Sequence, residues 1–295
     1  VSADDIPAVV STAWLAARQD DPALRLADVR WYLPHLGKRG RDEYDRGHLP
    51  GAVFVDLETD LAASHGRGPG RHPLPAPEEF RAAMARAGVD SETHVVAYDD
   101  SGGSIAARLW WLLRHFGHPR VSVLDGGITR WVAEGRPLTR DVPAPPPGAF
   151  VPRPVEGQVV EKDEVRRLSR DPRAAVLDAR APERYEGRAE PVDPRAGHVP
   201  GAISAPFAAN LAPGEAEGAA GARFKAPAAL RAQYAALGAT PEREVVVYCG
   251  SGITACHDLL ALHLAGIRHA RLYEGSWSDW AADPALPVAT GPHPG

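Results

Sequence analysis

Gly47-His48-Leu49-Pro50-Gly51-Ala52 is read again 150 positions later as Gly197-His198-Val199-Pro200-Gly201-Ala202. One recurrence of six residues is weak evidence, but the same displacement also pairs Asp28 and Arg30 with Asp178 and Arg180, Gly88 with Gly238, Tyr98 with Tyr248, and Ser101-Gly102 with Ser251-Gly252. Beyond that loop the displacement falls to 149, pairing Gly117 with Gly266, Gly126 with Gly275 and Trp131 with Trp280. A set of matches that runs through most of both halves, with one residue lost in a loop, is the mark of two tandem copies of one domain.

Length agrees, since 295 residues suit two ordinary domains at roughly 100 to 200 residues each. The join shows in composition: Pro137, Pro143, Pro145, Pro146, Pro147, Pro152 and Pro154 crowd a short stretch and favour an extended, semi-rigid connection. The expected organisation is a first domain over 1–140, a proline-rich linker over 141–157 and a second domain over 158–295. With 44% hydrophobic and 24% charged residues the chain can build packed cores, which excludes global disorder. A net charge of −5 without a long basic run argues against a nucleic-acid partner. No apolar run is long enough to span a bilayer, and Val1-Ser2-Ala3-Asp4-Asp5 lacks the basic flank and apolar stretch of a signal peptide, so a cytoplasmic protein without a membrane partner is expected. Two cysteines exclude a disulfide framework and a four-cysteine zinc site, which leaves the chemistry of each cysteine as the question.

Within each copy, short β-branched runs such as His94–Tyr98 and Glu244–Tyr248 precede helical stretches such as 105–116 and 255–264. Strand, loop and helix in alternation predict an α/β fold with a mainly parallel sheet flanked by helices. Ligands of such sheets sit beyond the carboxyl ends of the strands, which directs attention to the segments after Tyr98 and Tyr248. After Tyr248 comes Cys249-Gly250-Ser251-Gly252-Ile253-Thr254, rich in residues that let a backbone curl so that several N–H groups point inward. Those donors, with the positive end of the following helix, would favour the thiolate of Cys249, the nucleophilic form. The bland alternative is a buried cysteine closing a core strand. In the first copy the matching residue is Asp99, which cannot be a sulfur nucleophile, so that copy is expected to keep the scaffold and to complete a cleft.

The Cys-Gly-Ser-Gly-Ile-Thr-Ala loop, the Gly-His-x-Pro-Gly-Ala motif in both halves, Asp125-Gly126-Gly127, Glu274-Gly275-Ser276-Trp277 and Trp110-Trp111 together resemble the two-domain rhodanese-type sulfurtransferases over nearly the whole chain. Within that family the loop is similar to that of the 3-mercaptopyruvate sulfurtransferases, whereas thiosulfate-preferring members typically carry basic residues directly after the cysteine. Here those places hold Gly250 and Ser251, a loop better suited to a monoanionic α-keto acid than to a dianion. The resemblance implies a tandem pair of rhodanese-like domains and a Cys249 persulfide formed from a small sulfur donor, with the backbone of Gly250, Gly252, Ile253 and Thr254 around it. The sulfur would pass to a thiol acceptor, such as a thioredoxin or a small dithiol, or to cyanide. It implies neither a metal nor an organic cofactor.

By the same resemblance Ser251 works with a histidine and an acidic residue to handle protons. Arg71-His72-Pro73-Leu74-Pro75 resembles the family segment that holds the histidine, here His72, and Phe54-Val55-Asp56-Leu57-Glu58 places Glu58 where the family usually has Asp. Arg184, ahead of Tyr185 and Gly187, matches the family's first substrate arginine. The stretch before the Gly-His motif is shorter than the family pattern, so the second is Arg195 or Arg188, with Arg195 favoured. His48 recurs as His198 in the half with the cysteine, and a residue common to both halves is expected to fix a turn rather than to bind a metal. Cys256 is expected in the core of the helix, and Trp277 either packs there or lines the pocket. Rival readings are a thiosulfate sulfurtransferase, a persulfide carrier without catalysis and, at lower rank, a cysteine phosphatase. That last chemistry needs an arginine inside the loop, and residues 249–255 contain none.

Overall fold

A computed structural model describes residues 6–212 and 221–295; the expectation drawn from Val1–Asp5 lies outside them. The chain divides into two units, the first made of Val1–Ala63, Pro75–Val155 and Ala212–Phe224, the second of Ser64–Leu74, Glu156–Leu211 and Lys225–Gly295. The cut therefore does not follow the chain midpoint, because each half contributes one segment to the other half's unit.

In the first unit the elements run β1 (Val9–Val10), α1 (Thr12–Ala16), β2 (Leu24–Asp28), α2 (Gly40–Arg46), β3 (Val53–Phe54), α3 (Pro77–Arg86), β4 (His94–Tyr98), α4 (Ala106–His115), β5 (Val121–Leu124) and α5 (Gly127–Ala133). All strands are parallel, in the order β1-β5-β4-β2-β3. The second unit repeats the series as β6 (Val159–Val160), α6 (Lys162–Leu168), β7 (Ala174–Asp178), α7 (Pro182–Tyr185), β8 (Ile203–Ser204), α8 (Pro227–Ala236), β9 (Glu244–Tyr248), α9 (Ala255–Ala265), β10 (Arg271–Tyr273) and α10 (Ser276–Ala282). Its order, β6-β10-β9-β7-β8, is the same once the copies are superposed. The central strands β4 and β9 read His-Val-Val-Ala-Tyr and Glu-Val-Val-Val-Tyr and are buried over almost their whole length, as expected of parallel strands covered on both faces.

The repeated residues are those that hold each loop to its sheet. Arg30 grips the Asp28 carboxylate with Nε and Nη2 and donates Nη2 to the Gly47 carbonyl at 2.8 Å; Arg180 does the same with Asp178 and with Gly197 at 2.7 Å. Tyr98 and Tyr248 turn their hydroxyls to the N–H groups of Leu49 and Val199. His48 and His198 stack on Tyr44 and Tyr185, with ring centroids 3.8 and 3.7 Å apart, and each Nδ1 meets that tyrosine's carbonyl. This is the turn-fixing role expected of the two histidines. The proline-rich stretch forms no helix or strand, yet it packs along the first unit: Arg153 and Val155 donate N–H to the carbonyls of Phe116 and His115, and Phe150 is buried against Phe80. No helix among the described residues is long and apolar enough to cross a membrane.

Candidate active site

Cys249 follows the central strand β9 and is almost fully buried, and α9 begins six residues later at Ala255. The turn leading into α10 fixes the cysteine's backbone. Its N–H donates to the Ser276 hydroxyl at 3.1 Å, its carbonyl accepts from the Trp277 N–H at 2.9 Å, and the Gly250 carbonyl accepts from the Ser278 N–H at 2.9 Å. Ser276 holds φ +54°, a left-handed conformation that no other non-glycine among the described residues adopts. A non-glycine residue there costs energy and persists only where its surroundings fix it. Its hydroxyl donates onward to the Tyr273 carbonyl, which leaves the oxygen oriented toward the cysteine N–H. Gly252 sits at φ +79°, where a Cβ would lie 2.7 Å from the Glu274 carbonyl oxygen, so the sharp curl of the loop depends on glycine. Ile253 is buried, and Thr254 stands at the N-cap position of α9 without a side-chain capping bond.

The segment Ser64–Leu74 supplies the histidine. His72 is buried, and its Nδ1 lies 2.7 Å from the Ser251 hydroxyl oxygen, so the serine after the cysteine loop's first glycine and the His72 imidazole form one hydrogen-bonded pair. Two neighbours pin this segment, because the Arg71 N–H donates to the Ser278 hydroxyl and the Leu74 N–H donates to the Glu274 carboxylate, both at 3.0 Å. Glu58 belongs to the first unit, on the turn after β3, where its carboxylate accepts from the Trp31 indole at 3.0 Å.

Arg184, on α7, donates Nη2 to Glu190 at 2.7 Å and to Asp193 at 3.1 Å. Its Nη1 would lie 3.3 Å from a Cβ built on Gly250, which puts the guanidinium beside the residue next to the cysteine. Arg195 does not join it: Nε, Nη1 and Nη2 are spent on the carbonyls of Trp280, Ala281, Asp283 and Leu286, at 2.6 to 2.9 Å. Four backbone carbonyls at the end of α10 thus occupy that fork. Arg188 is exposed and pairs with Glu186. A residue that the reading of the sequence missed takes the place beside Arg184: Arg71 Nη2 would lie 3.5 Å from the same Gly250 Cβ. Its only sequence signal was adjacency to His72.

Arg180 lies 4.5 Å over the Trp277 ring and reaches Glu190 as well as Asp178. Burial works against its charge, but the Asp178 carboxylate outweighs that and holds the guanidinium more firmly protonated than usual. Trp277 is fully buried with its indole N–H on the Arg195 carbonyl, a packing residue rather than a pocket wall. Cys256 is buried on α9 and points its sulfur at the Gly252 carbonyl. Neither cysteine is joined in a disulfide. Among the described residues no group of three or more His, Cys, Asp or Glu is arranged to hold a metal.

A buried thiol at a strand end, a Ser–His pair two residues on and two guanidiniums beside the intervening glycine make a site for nucleophilic attack on a small anion. A model of the rhodanese-like domain matches residues 11–134 and again 161–283. A Pseudomonas aeruginosa protein described as a probable 3-mercaptopyruvate sulfurtransferase is 45% identical over 282 residues, covering 94% of this chain and 96% of its own. A Mycobacterium tuberculosis protein provisionally named a thiosulfate sulfurtransferase is 38% identical over 280 residues, covering 92% of each chain. Among solved structures, SseA of Escherichia coli, a 3-mercaptopyruvate sulfotransferase with the rhodanese fold, superposes with a TM-score of 0.79 at 34% identity, over 92% of this chain and 99% of that one.

Proposed function

The chain belongs to the rhodanese-like domain family, with two copies of the domain in tandem, and from that premise we propose that it moves a sulfur atom from 3-mercaptopyruvate to an acceptor through Cys249. The observation that carries the reading is the placement of Cys249 at the end of the central strand, with Gly250 lying beside two guanidiniums.

The Cys249 thiolate attacks the sulfur of 3-mercaptopyruvate, the donor's C–S bond breaks, and the electron pair leaves on the methylene carbon. That carbon takes up the proton of the donor's thiol and pyruvate departs, while Cys249 is left as a persulfide anion. A thiol such as that of a thioredoxin or a small dithiol, or cyanide, then takes the outer sulfur and returns the thiolate. The Ser251–His72 pair is proposed to carry the proton; in support, the 2.7 Å contact needs no bridging water for an exchange between imidazole and hydroxyl. Glu58 is proposed as the acidic member of this relay. Arg184 is proposed to receive the substrate carboxylate. The backbone of Gly250, Gly252, Ile253 and Thr254 is proposed to surround the sulfur, as the first copy suggests: there four N–H groups converge on the Asp99 carboxylate at 2.8 to 2.9 Å. A loop of that shape holds an anion, and in the second copy the anion is sulfur. Two buried cysteines that form no disulfide suit a reducing compartment, which supports a cytoplasmic location.

Thiosulfate is the second reading, favoured by the Mycobacterium tuberculosis relative. Intact-protein mass after incubation with each donor separates the two. A gain of one sulfur, faster with 3-mercaptopyruvate and missing from Cys249→Ser, is expected. Faster gain from thiosulfate would overturn the donor, and no gain from either would favour a binding module.

A further inference from the structure

We propose that Arg71 is the second cation that binds the substrate's carboxylate, and that Asp193 positions it; this deepens the sulfurtransferase reading and rests on it. An α-keto acid presents a carboxylate and a keto oxygen, and one guanidinium cannot address both while its other edge is held by the protein. Asp193 lies between the two arginines, accepting from Arg71 Nη1 at 2.6 Å with one oxygen and from Arg184 Nη2 at 3.1 Å with the other. Arg71 Nη2 and Arg184 Nη1 make no hydrogen bond among the described residues, and both approach Gly250. Asp193 is 2% exposed and accepts on both sides, so it holds each fork with one edge inward and the other toward the cysteine loop.

The Arg71 backbone is as constrained as its side chain. Gly70 stands at φ +74°, and a Cβ there would lie 2.4 Å from the Gly275 carbonyl oxygen. The chain is thereby pressed against the turn that also holds Cys249, with the Arg71 N–H on Ser278 and His72 on Ser251. The arrangement also bears on donor choice. Glu190 and Asp193 offset the charges of Arg71 and Arg184, leaving the cluster close to neutral, so a ligand gains more from directed hydrogen bonds to a planar carboxylate than from its net charge. That favours a monoanionic keto acid over a dianion.

The test compares 3-mercaptopyruvate with mercaptoacetone, the keto thiol that lacks the carboxylate. Steady-state kinetics and intact mass are followed for the wild type, Arg71→Ala, Arg71→Lys and Asp193→Asn. In Arg71→Ala the ratio of kcat/KM for the keto acid to that for mercaptoacetone is expected to fall about 10- to 100-fold, chiefly through KM, with part of it restored in Arg71→Lys. In Asp193→Asn, KM for the keto acid is expected to rise about tenfold while kcat stays within about twofold. A ratio unchanged in Arg71→Ala, in protein that still gains sulfur at Cys249, would remove Arg71 from the site and leave the sulfurtransferase reading standing. A wild type that gains no sulfur would instead bring down that reading, and the role of Arg71 with it.

Discussion

The first copy ends its central strand in Asp99 and the second in Cys249, and almost everything else about the two loops follows from that exchange. Asp99 is satisfied from within: four backbone donors surround its buried carboxylate and fill the cradle. At the turn beneath it the first copy has Gly127 at φ +55°, while the second has Ser276 at φ +54°, the same conformation carried at a cost by a residue whose hydroxyl meets the cysteine N–H. The second copy also carries a longer stretch before its Gly-His motif. Tyr44 and His48 are four residues apart and Tyr185 and His198 thirteen, and the additional residues hold Glu190 and Asp193, which orient the arginines. One scaffold thus serves as support when a carboxylate is built in, and under the proposed mechanism as a reaction site when a cysteine stands there beside ordered guanidiniums.

The largest expected effect comes from exchanging the two anions. Cys249→Ser should gain no sulfur from any donor, and Asp99→Cys combined with it should also gain none, because the first copy lacks the arginines and the Ser–His pair. Sulfur on the thiol introduced in the first copy, seen by peptide mass, would mean that the nucleophile alone separates the copies. Next come the groups around Cys249. Arg184→Ala should raise KM for 3-mercaptopyruvate about 10- to 100-fold, whereas His72→Ala should lower kcat about 100-fold with less change in KM; stopped-time assays of pyruvate release would separate the two. A flat KM in the arginine variant would take Arg184 out of the site.

Asp99→Ala leaves four N–H groups of the first unit without their acceptor. Denaturant titration should show a loss of about 3 kcal/mol, at about 1 to 3 kcal/mol per buried unpaired group and with water replacing part of it. An unchanged midpoint would mean that the carboxylate is not what closes that loop.

The smallest effect is a difference of sign with pH. Burial, with Arg120 and His118 nearby, lowers His94 to about 4 from its ordinary 6.5, and burial lowers His118 as well. The unfolded chain then takes up protons before the folded one does, so the first unit should lose stability as pH falls from about 6.5 toward 4. The repeat puts Glu244 and Ile267 at these positions in the second unit. There burial raises Asp258 well above the usual carboxylate range, which favours the protonated, folded state as pH falls. Between pH 7 and pH 5 the hydrogen-exchange protection factors, corrected for the intrinsic rate at each pH, should therefore fall more in β4 than in β9. An equal change in protection would show that these groups do not set the difference.

Much of the molecule was legible because the repeat acts as an internal alignment. Both central strands were read with their observed ends, and the helices after them to within a residue. Parallel strands buried on both faces leave short apolar runs, and the glycines between strand and helix mark the loop. Ser251 and His72 were read by resemblance, and the structure brings them to 2.7 Å. The surroundings of Arg71 and Arg195 were not legible in the sequence. The constant displacement of 150 conceals a difference between the copies: residues 31–39 lengthen the first before its tyrosine, and 188–196 lengthen the second after it. A count of offsets sees no change, and so the arginines of the longer stretch cannot be ranked from spacing.

The sequence by itself determined that two copies of one α/β domain lie in tandem, that only the second ends its central strand in a nucleophile, and that a Gly-Ser-Gly loop follows it. These are local properties, carried by periodicity, by glycine and by the identity of a single residue. Tertiary structure alone decided which cations stand beside that nucleophile. A guanidinium's role depends on what else competes for its five donors. Four carbonyls at the end of α10 claim Arg195, whereas Asp193 holds Arg71 and Arg184 by one edge and leaves the other facing the cysteine loop.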